Sequence, residues 1–230
     1  MIKGFRGTSL VDFPGKVSAV IYTFGCNYRC PFCYNVELVL PELYQELPDI
    51  PEEKVLSELA ERKGFIQGVV ITGGEPTLWG KRLHYLLERI RHEVGLAIKL
   101  DSNGSNPEMI GRFLEEGLLD YVALDLKTAP SRYSELGGDF LRLKETLRLL
   151  RDYPEKAEIR ITLYPPLVAE EDLEEMLPYL EGFQNIALQK YLPEKNLSGR
   201  GVSPYSEEEY AKFYSRLEEK LTSAKIIQRF

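Results

Sequence analysis

Apolar positions along the chain follow two alternating patterns. Short β-branched and aromatic runs read as buried strands, and they alternate with stretches whose apolar residues fall three and four apart, the mark of amphipathic helices. The strand-like runs are 17–24 (VSAVIYTF), 68–72, 96–100, 121–126, 159–164 and 185–191. Between them the helical stripes are Val55, Leu56, Leu59 and Ala60; Leu83, Leu86, Leu87, Ile90 and Val94; Met109, Ile110, Phe113 and Leu114; and Phe140, Leu143, Leu147 and Leu150. A further helix is predicted over about 171–180, and a last one carries Tyr210, Phe213, Leu217 and Leu221. Punctuation agrees with this reading. Asn106 and Pro107 form an N-cap and first-turn proline, Gly117 stops that helix, and Ser206 with Glu209 makes a capping box. Gly4, Gly7, Pro14 and Gly15 mark residues 1–16 as a short strand or hairpin leading in, and Ile226 and Ile227 suggest an edge strand at the end.

Six strands alternating with helices imply right-handed parallel βαβ crossovers in one sheet. No linker divides the pattern, so a single domain is expected: a lead-in over 1–16, a core over 17–192, and a C-terminal loop, helix and tail over 193–230. The pattern alone admits either an open doubly wound sheet or a curved partial barrel. In both, functional residues gather at the C-terminal ends of the strands.

At 230 residues and 43% hydrophobic composition the chain can bury a sizeable core. Its formal charge of −7, with lysines and arginines dispersed among acids, argues against nucleic acid as a partner. No apolar run approaches a membrane span, and the first residues (MIKGFRGTSLVDFPG) lack the apolar core of a secretory signal. A cytoplasmic protein with no membrane partner is expected.

All three cysteines, Cys26, Cys30 and Cys33, lie in one segment directly after the first strand run. Three thiolates at this spacing can hold three corners of a cubane iron–sulfur cluster and leave one iron open to an exogenous chelating ligand. Other readings compete. Structural cysteines seldom cluster this way. A closed zinc site needs a fourth ligand, and His84 and His92, eight apart on a helix and so about 12 Å along its axis, cannot both complete one. An odd cysteine count disfavours a disulfide framework.

The CxxxCxxC loop resembles that of the radical S-adenosylmethionine (radical SAM) superfamily. The turn at 72–76 (TGGEP) strengthens the resemblance, being similar to the family's motif for the methionyl amine. The resemblance implies a (β/α)6 partial barrel of α/β class. It also implies a 4Fe-4S cluster on Cys26, Cys30 and Cys33, and S-adenosylmethionine on the open iron. Gly73, Gly74 and Glu75 would flank the amine, and Phe32 and Tyr34 would pack on adenine. Strand ends supply further polar residues, whose plain reading is helix caps and solvated ends. In glycyl radical activating enzymes a segment like 125–127 (DLK) contributes to cofactor binding, which implies Lys127 as a partner of the carboxylate. The same resemblance makes Asp101, Ser102 and Asp125 candidates for a monovalent cation. Arg160 and Gln189, on the fifth and sixth strands, either orient the adenosyl group or satisfy a buried acid.

Segments 8–15 (TSLVDFPG), 99–108, 120–127 and the IRITL strand look like the activating proteins of anaerobic ribonucleoside-triphosphate reductase. That resemblance implies an activating oxidoreductase acting on a backbone glycine of a partner reductase, with flavodoxin or ferredoxin as electron donor. A radical SAM enzyme acting on a small molecule or nucleoside, or on another glycyl radical enzyme, is the alternative. Two departures stand out: Tyr34 follows the third cysteine where relatives carry histidine, and no histidine lies near the sixth strand. Three cysteines allow one cluster only. The glycine-rich segment 193–204 is a candidate gate, although its composition alone reads as a surface loop.

Overall fold

The computed structural model describes residues 1–199 and 201–229; Arg200, within the candidate gate, and Phe230 lie outside the described residues. Strand order in the sheet follows chain order from the first strand to the eighth. The chain divides into two compact units, one made of Met1–Asn27, Asn35–Ser102 and Glu108–Val122, the other of Tyr28–Tyr34, Asn103–Pro107 and Ala123–Phe230.

In the first unit β1 (Ile2–Ser9) runs antiparallel to β2 (Ser18–Thr23). Strand β2 pairs in parallel with β3 (Gly68–Gly73), from Ser18 opposite Gly68 to Thr23 opposite Gly73. Strand β3 pairs in parallel with β4 (Ala97–Ser102). Val69, Val70 and Ile71 are wholly buried, the condition of a parallel strand covered on both faces. Each such side chain contributes about 1.5–3 kcal/mol by leaving water.

The helices of this unit are α1 (Val36–Val39), α2 (Pro41–Tyr44), α3 (Glu52–Arg62) and α4 (Gly80–Arg89). A single π turn, Ile90–Val94, extends α4 to the left-handed Gly95. Helix α5 (Pro107–Glu115) belongs here apart from its first residue, and β5 (Tyr121–Asp125) begins in this unit and ends in the second.

The second unit holds β6 (Ala157–Leu163), β7 (Asn185–Lys190) and β8 (Lys225–Arg229), paired in parallel, with Ile159 opposite Ile186 and Asn185 opposite Lys225. Its helices are α6 (Phe140–Leu150), α7 (Glu170–Leu180) and α8 (Glu207–Lys220). The Ser206 hydroxyl accepts from the Glu209 amide while the Glu209 carboxylate accepts from the Ser206 amide, closing the predicted capping box.

The six predicted strand runs are β2 to β7. The lead-in is one antiparallel strand with irregular register at Ile2/Gly4 and Arg6/Ser9, and the tail is a parallel strand on β7.

Candidate active site

In the first unit the cysteine loop and the glycine turn leave neighbouring parallel strands at one level, since Thr23 sits opposite Gly73. Backbone bonds tie them together. The Gly74 amide donates to the Thr23 carbonyl at 2.9 Å, and the Glu75 amide donates to the Gly25 carbonyl at 2.8 Å. The Asn35 side-chain amide donates to the Gly73 carbonyl at 3.3 Å. Only glycines permit this approach. A Cβ on Gly74 would lie 2.0 Å from the Gly25 oxygen, and Gly73 (φ +119°) and Gly25 (φ +83°) occupy backbone regions that side chains disfavour.

Glu75 is buried, and its Oε1 accepts from the Thr77 amide at 3.1 Å, the Thr77 hydroxyl at 2.6 Å and the Ser102 hydroxyl at 2.9 Å. The carboxylate thereby caps the short helix Pro76–Trp79 and pins the turn to the end of β4. Trp79 donates its indole N–H to the Phe24 carbonyl at 2.9 Å and packs edge-on against the Phe24 ring, bracing the strand end that carries the cysteine loop. On β4 itself, the buried Lys99 ammonium is paired with the Asp101 carboxylate.

In the second unit the loop continues with Cys30 and Cys33, where the Cys33 amide donates to the Cys30 carbonyl at 3.0 Å. Cys30 is buried; Cys26, assigned to the first unit, and Cys33 are partly exposed, and none of the three is in a disulfide. The donor set is three soft thiols on a loop that starts at a left-handed glycine, which suits an iron–sulfur cluster.

Phe32 packs on Tyr164 with centroids 5.4 Å apart, and the Lys127 ammonium lies 5.8 Å from the Phe32 centroid. Tyr34 is exposed, with the Lys195 ammonium 5.4 Å from its ring centre. Asp125 binds Arg160 at 2.7 Å through one oxygen and Lys127 at 3.0 Å through the other. Burial pushes its carboxyl up, but the two cations outweigh that and hold it at about 2. Gln189 accepts from the Thr162 hydroxyl at 3.4 Å. Lys127, Arg160, Asp125 and Phe32 are thus brought together, while Tyr34 and Gln189 make other contacts.

Several supporting residues carry no motif of their own. The Lys127 amide donates to the Tyr133 hydroxyl at 3.0 Å, and burial drives that phenol well above its usual range. The Ser198 amide donates to the Pro31 carbonyl at 3.1 Å, so the candidate gate touches the cysteine loop. Only tertiary folding reveals these partners. A separate open groove of about 710 Å³ between α7 and α8 is lined by acids such as Glu170, Glu174 and Glu208 and includes none of the predicted site residues. No helix among the described residues is long and apolar enough to cross a membrane.

Parallel strands alternating with helices give each unit the α/β pattern in which functional groups gather at strand ends: the glycine turn in the first, the paired charges in the second. Residues 20–194 match the radical SAM superfamily, and the chain belongs to it. A protein of Methanocaldococcus jannaschii, provisionally named a glycyl-radical enzyme activating enzyme, is 31% identical over 84% of this chain and 80% of its own. The 7-carboxy-7-deazaguanine synthase of Thermococcus kodakarensis is 28% identical over 65% of this chain and 64% of its own. Streptococcus suis SuiB bound to S-adenosylmethionine superposes with a TM-score of 0.66 at 17% identity, covering 91% of this chain. The chain spans about half (49%) of SuiB, so that likeness concerns the fold. Membership implies S-adenosylmethionine and a 4Fe-4S cluster as cofactors, and the α/β partial barrel expected from the motifs is the fold of this superfamily.

Proposed function

We propose that this chain is a glycyl radical activating enzyme, with anaerobic ribonucleoside-triphosphate reductase as its partner. The observation that carries the reading is the M. jannaschii relative, similar over most of both chains. When bound, the reduced cluster and S-adenosylmethionine supply a one-electron cleavage to methionine and a 5'-deoxyadenosyl radical able to take hydrogen from a glycine Cα.

The chain's own residues hold, orient and shield. Cys26, Cys30 and Cys33 ligate three irons. The turn of Gly73, Gly74 and Glu75 presents backbone groups to the methionyl amine, with the Glu75 carboxylate rigidifying the turn from beneath. Lys127, steered by Asp125, meets the carboxylate, and Phe32 offers an apolar face to the adenosyl group. Arg160 acts through Asp125, and Gln189 and Tyr34 border the same cofactor. A single domain, a cytoplasmic setting and a flavodoxin or ferredoxin donor complete the proposal. Segment 193–204 gates partner entry, a role supported by the Ser198 and Lys195 contacts to the cysteine loop.

The T. kodakarensis relative favours a second reading, in which the hydrogen comes from a small heterocyclic substrate. One anaerobic experiment separates the two. The chain is reconstituted with iron and sulfide, reduced with dithionite and given S-adenosylmethionine, with Cys30→Ala as control. Formation of 5'-deoxyadenosine in the wild type alone, together with a glycyl radical signal when the reductase is added, is expected. Cleavage without any glycyl radical would overturn the activating role, and no cleavage despite an intact cluster would leave an electron carrier.

A further inference from the structure

A monovalent cation beside Asp101, Ser102 and Asp125 was expected from the family resemblance, and these groups do not fit it. Each carboxylate already has a cation of the chain: Asp101 has Lys99, and Asp125 has Arg160 and Lys127. The Ser102 hydroxyl donates to Glu75.

Lys99 is the unexpected partner. It stands in the middle of β4, in register with Val70, which is in turn opposite Val20. Val20 and Val70 belong to an apolar cluster with Phe13, against which Tyr22 and Ala97 pack. A lysine side chain here is 1% exposed, a placement that an ammonium tolerates only with a fixed counter-charge. Successive strand residues point to opposite faces, so Lys99 and Asp101 share one face, and the four-carbon stem covers the step between them. The Asp101 side chain is itself 10% exposed. Tyr22, on β2 and so two strands away from β4, has its phenol pushed up by burial first, with Arg6 opposing and the charges of Asp12 and Asp101 adding to the rise. A hydrated ion from solution would have to displace an ammonium tethered two residues away in a nearly dry setting.

We propose that Lys99 is the resident counter-ion of Asp101 and takes the place of an exogenous monovalent cation at the end of β4. Lys99 is a positioning residue: it fixes the Asp101 carboxylate and so the strand end next to Ser102, whose hydroxyl holds the Glu75 turn.

The test uses the full chain before cluster reconstitution, so its outcome is independent of radical chemistry and of the proposed partner. Thermal unfolding is followed at equal ionic strength, about 0.15 M, in tetramethylammonium, sodium or potassium chloride. Wild-type midpoints are expected to agree within about 1 °C across the salts, a spread below the effect of any specific site. Lys99→Met, which keeps the stem and removes the charge, is expected to lose on the order of 10 °C in tetramethylammonium and to regain at least about half of it in sodium or potassium. The double variant Lys99→Met/Asp101→Asn should be insensitive to the choice of salt. A wild-type midpoint that rises with sodium or potassium, and no longer does so in Asp101→Asn, would overturn the proposal by showing that solution cations already bind there. Failure of sodium and potassium to restore Lys99→Met, including failure to fold in any of the salts, would overturn it too.

Discussion

Replacing Asp125 by asparagine tests whether one carboxylate organises the charged group of the second unit. The side chain is 22% exposed and is held between Arg160 and Lys127, whose side chains are 13% and 15% exposed. Its carboxyl lies at about 2 instead of 3.8, because the two cations outweigh the effect of burial. A depression of nearly two units corresponds to about 2–3 kcal/mol of folding stability. The sign follows from linkage. A lowered folded value means that this contribution is complete above the unfolded value near 4, and it is lost as pH falls towards about 2. Asparagine keeps the shape, removes the charge and leaves two cations facing each other across a partly buried space. A loss of about 2–4 kcal/mol is therefore expected at pH 7. Urea titrations of the full chain, followed by circular dichroism at several pH values between 7 and 2, measure the difference between wild type and Asp125→Asn. That difference should shrink steadily below pH 4. A difference that stays constant down to pH 2, or one below about 0.5 kcal/mol at pH 7, would refute the assignment.

Three further outcomes are expected. Gly74→Ala should cost about 2–4 kcal/mol and lower the iron and sulfide retained after reconstitution, since the new Cβ would lie 2.0 Å from the Gly25 oxygen and backbone must give way; unchanged melting and iron content would contradict this. Ser102→Ala removes one of the bonds to Glu75 Oε1 and should lower stability by about 1 kcal/mol while weakening S-adenosylmethionine binding, read by denaturant titration and by equilibrium dialysis. Deleting 197–202 should impair glycyl radical formation in the partner more than 5'-deoxyadenosine formation, and equal loss of both would end the gating idea.

Strands β2 to β7 were legible because their runs are buried on both faces, so β-branched and apolar residues follow one another without polar interruption. Strand β1 was harder to read. It is bulged and mostly half-exposed, and Gly4, which packs beneath the Tyr22 ring, looks from sequence alone like a turn residue. The site divides the same way. Cysteine spacing and the double glycine are local signals, whereas the partners that give them shape come from distant positions: Ser102 lies 27 residues from Glu75, and Asn35 lies 38 from Gly73. One supporting pair, only two residues apart, did leave a trace. Lys99 interrupts an apolar strand run, and a charge in such a run implies a counter-charge nearby, although periodicity cannot say which group supplies it.

The two units rely on different forces, and this predicts how damage to each will show. In the first, Gly74 and Glu75 are joined to Thr23 and Gly25 through main-chain bonds of 2.9 and 2.8 Å, so the start of the cysteine loop and the turn move together. Those bonds run from main-chain N–H to main-chain carbonyl and include no titrating group of their own. In the second, Asp125 holds Lys127 and Arg160 by charge, with the Lys127 amide anchored on Tyr133. That arrangement depends on ionisation and is open to screening at its partly exposed edges. Glycine variants should therefore lose cluster content at every pH and salt concentration. Variants of the Asp125 group should keep their cluster and lose cofactor affinity, in a manner that acid and salt reproduce in the wild type.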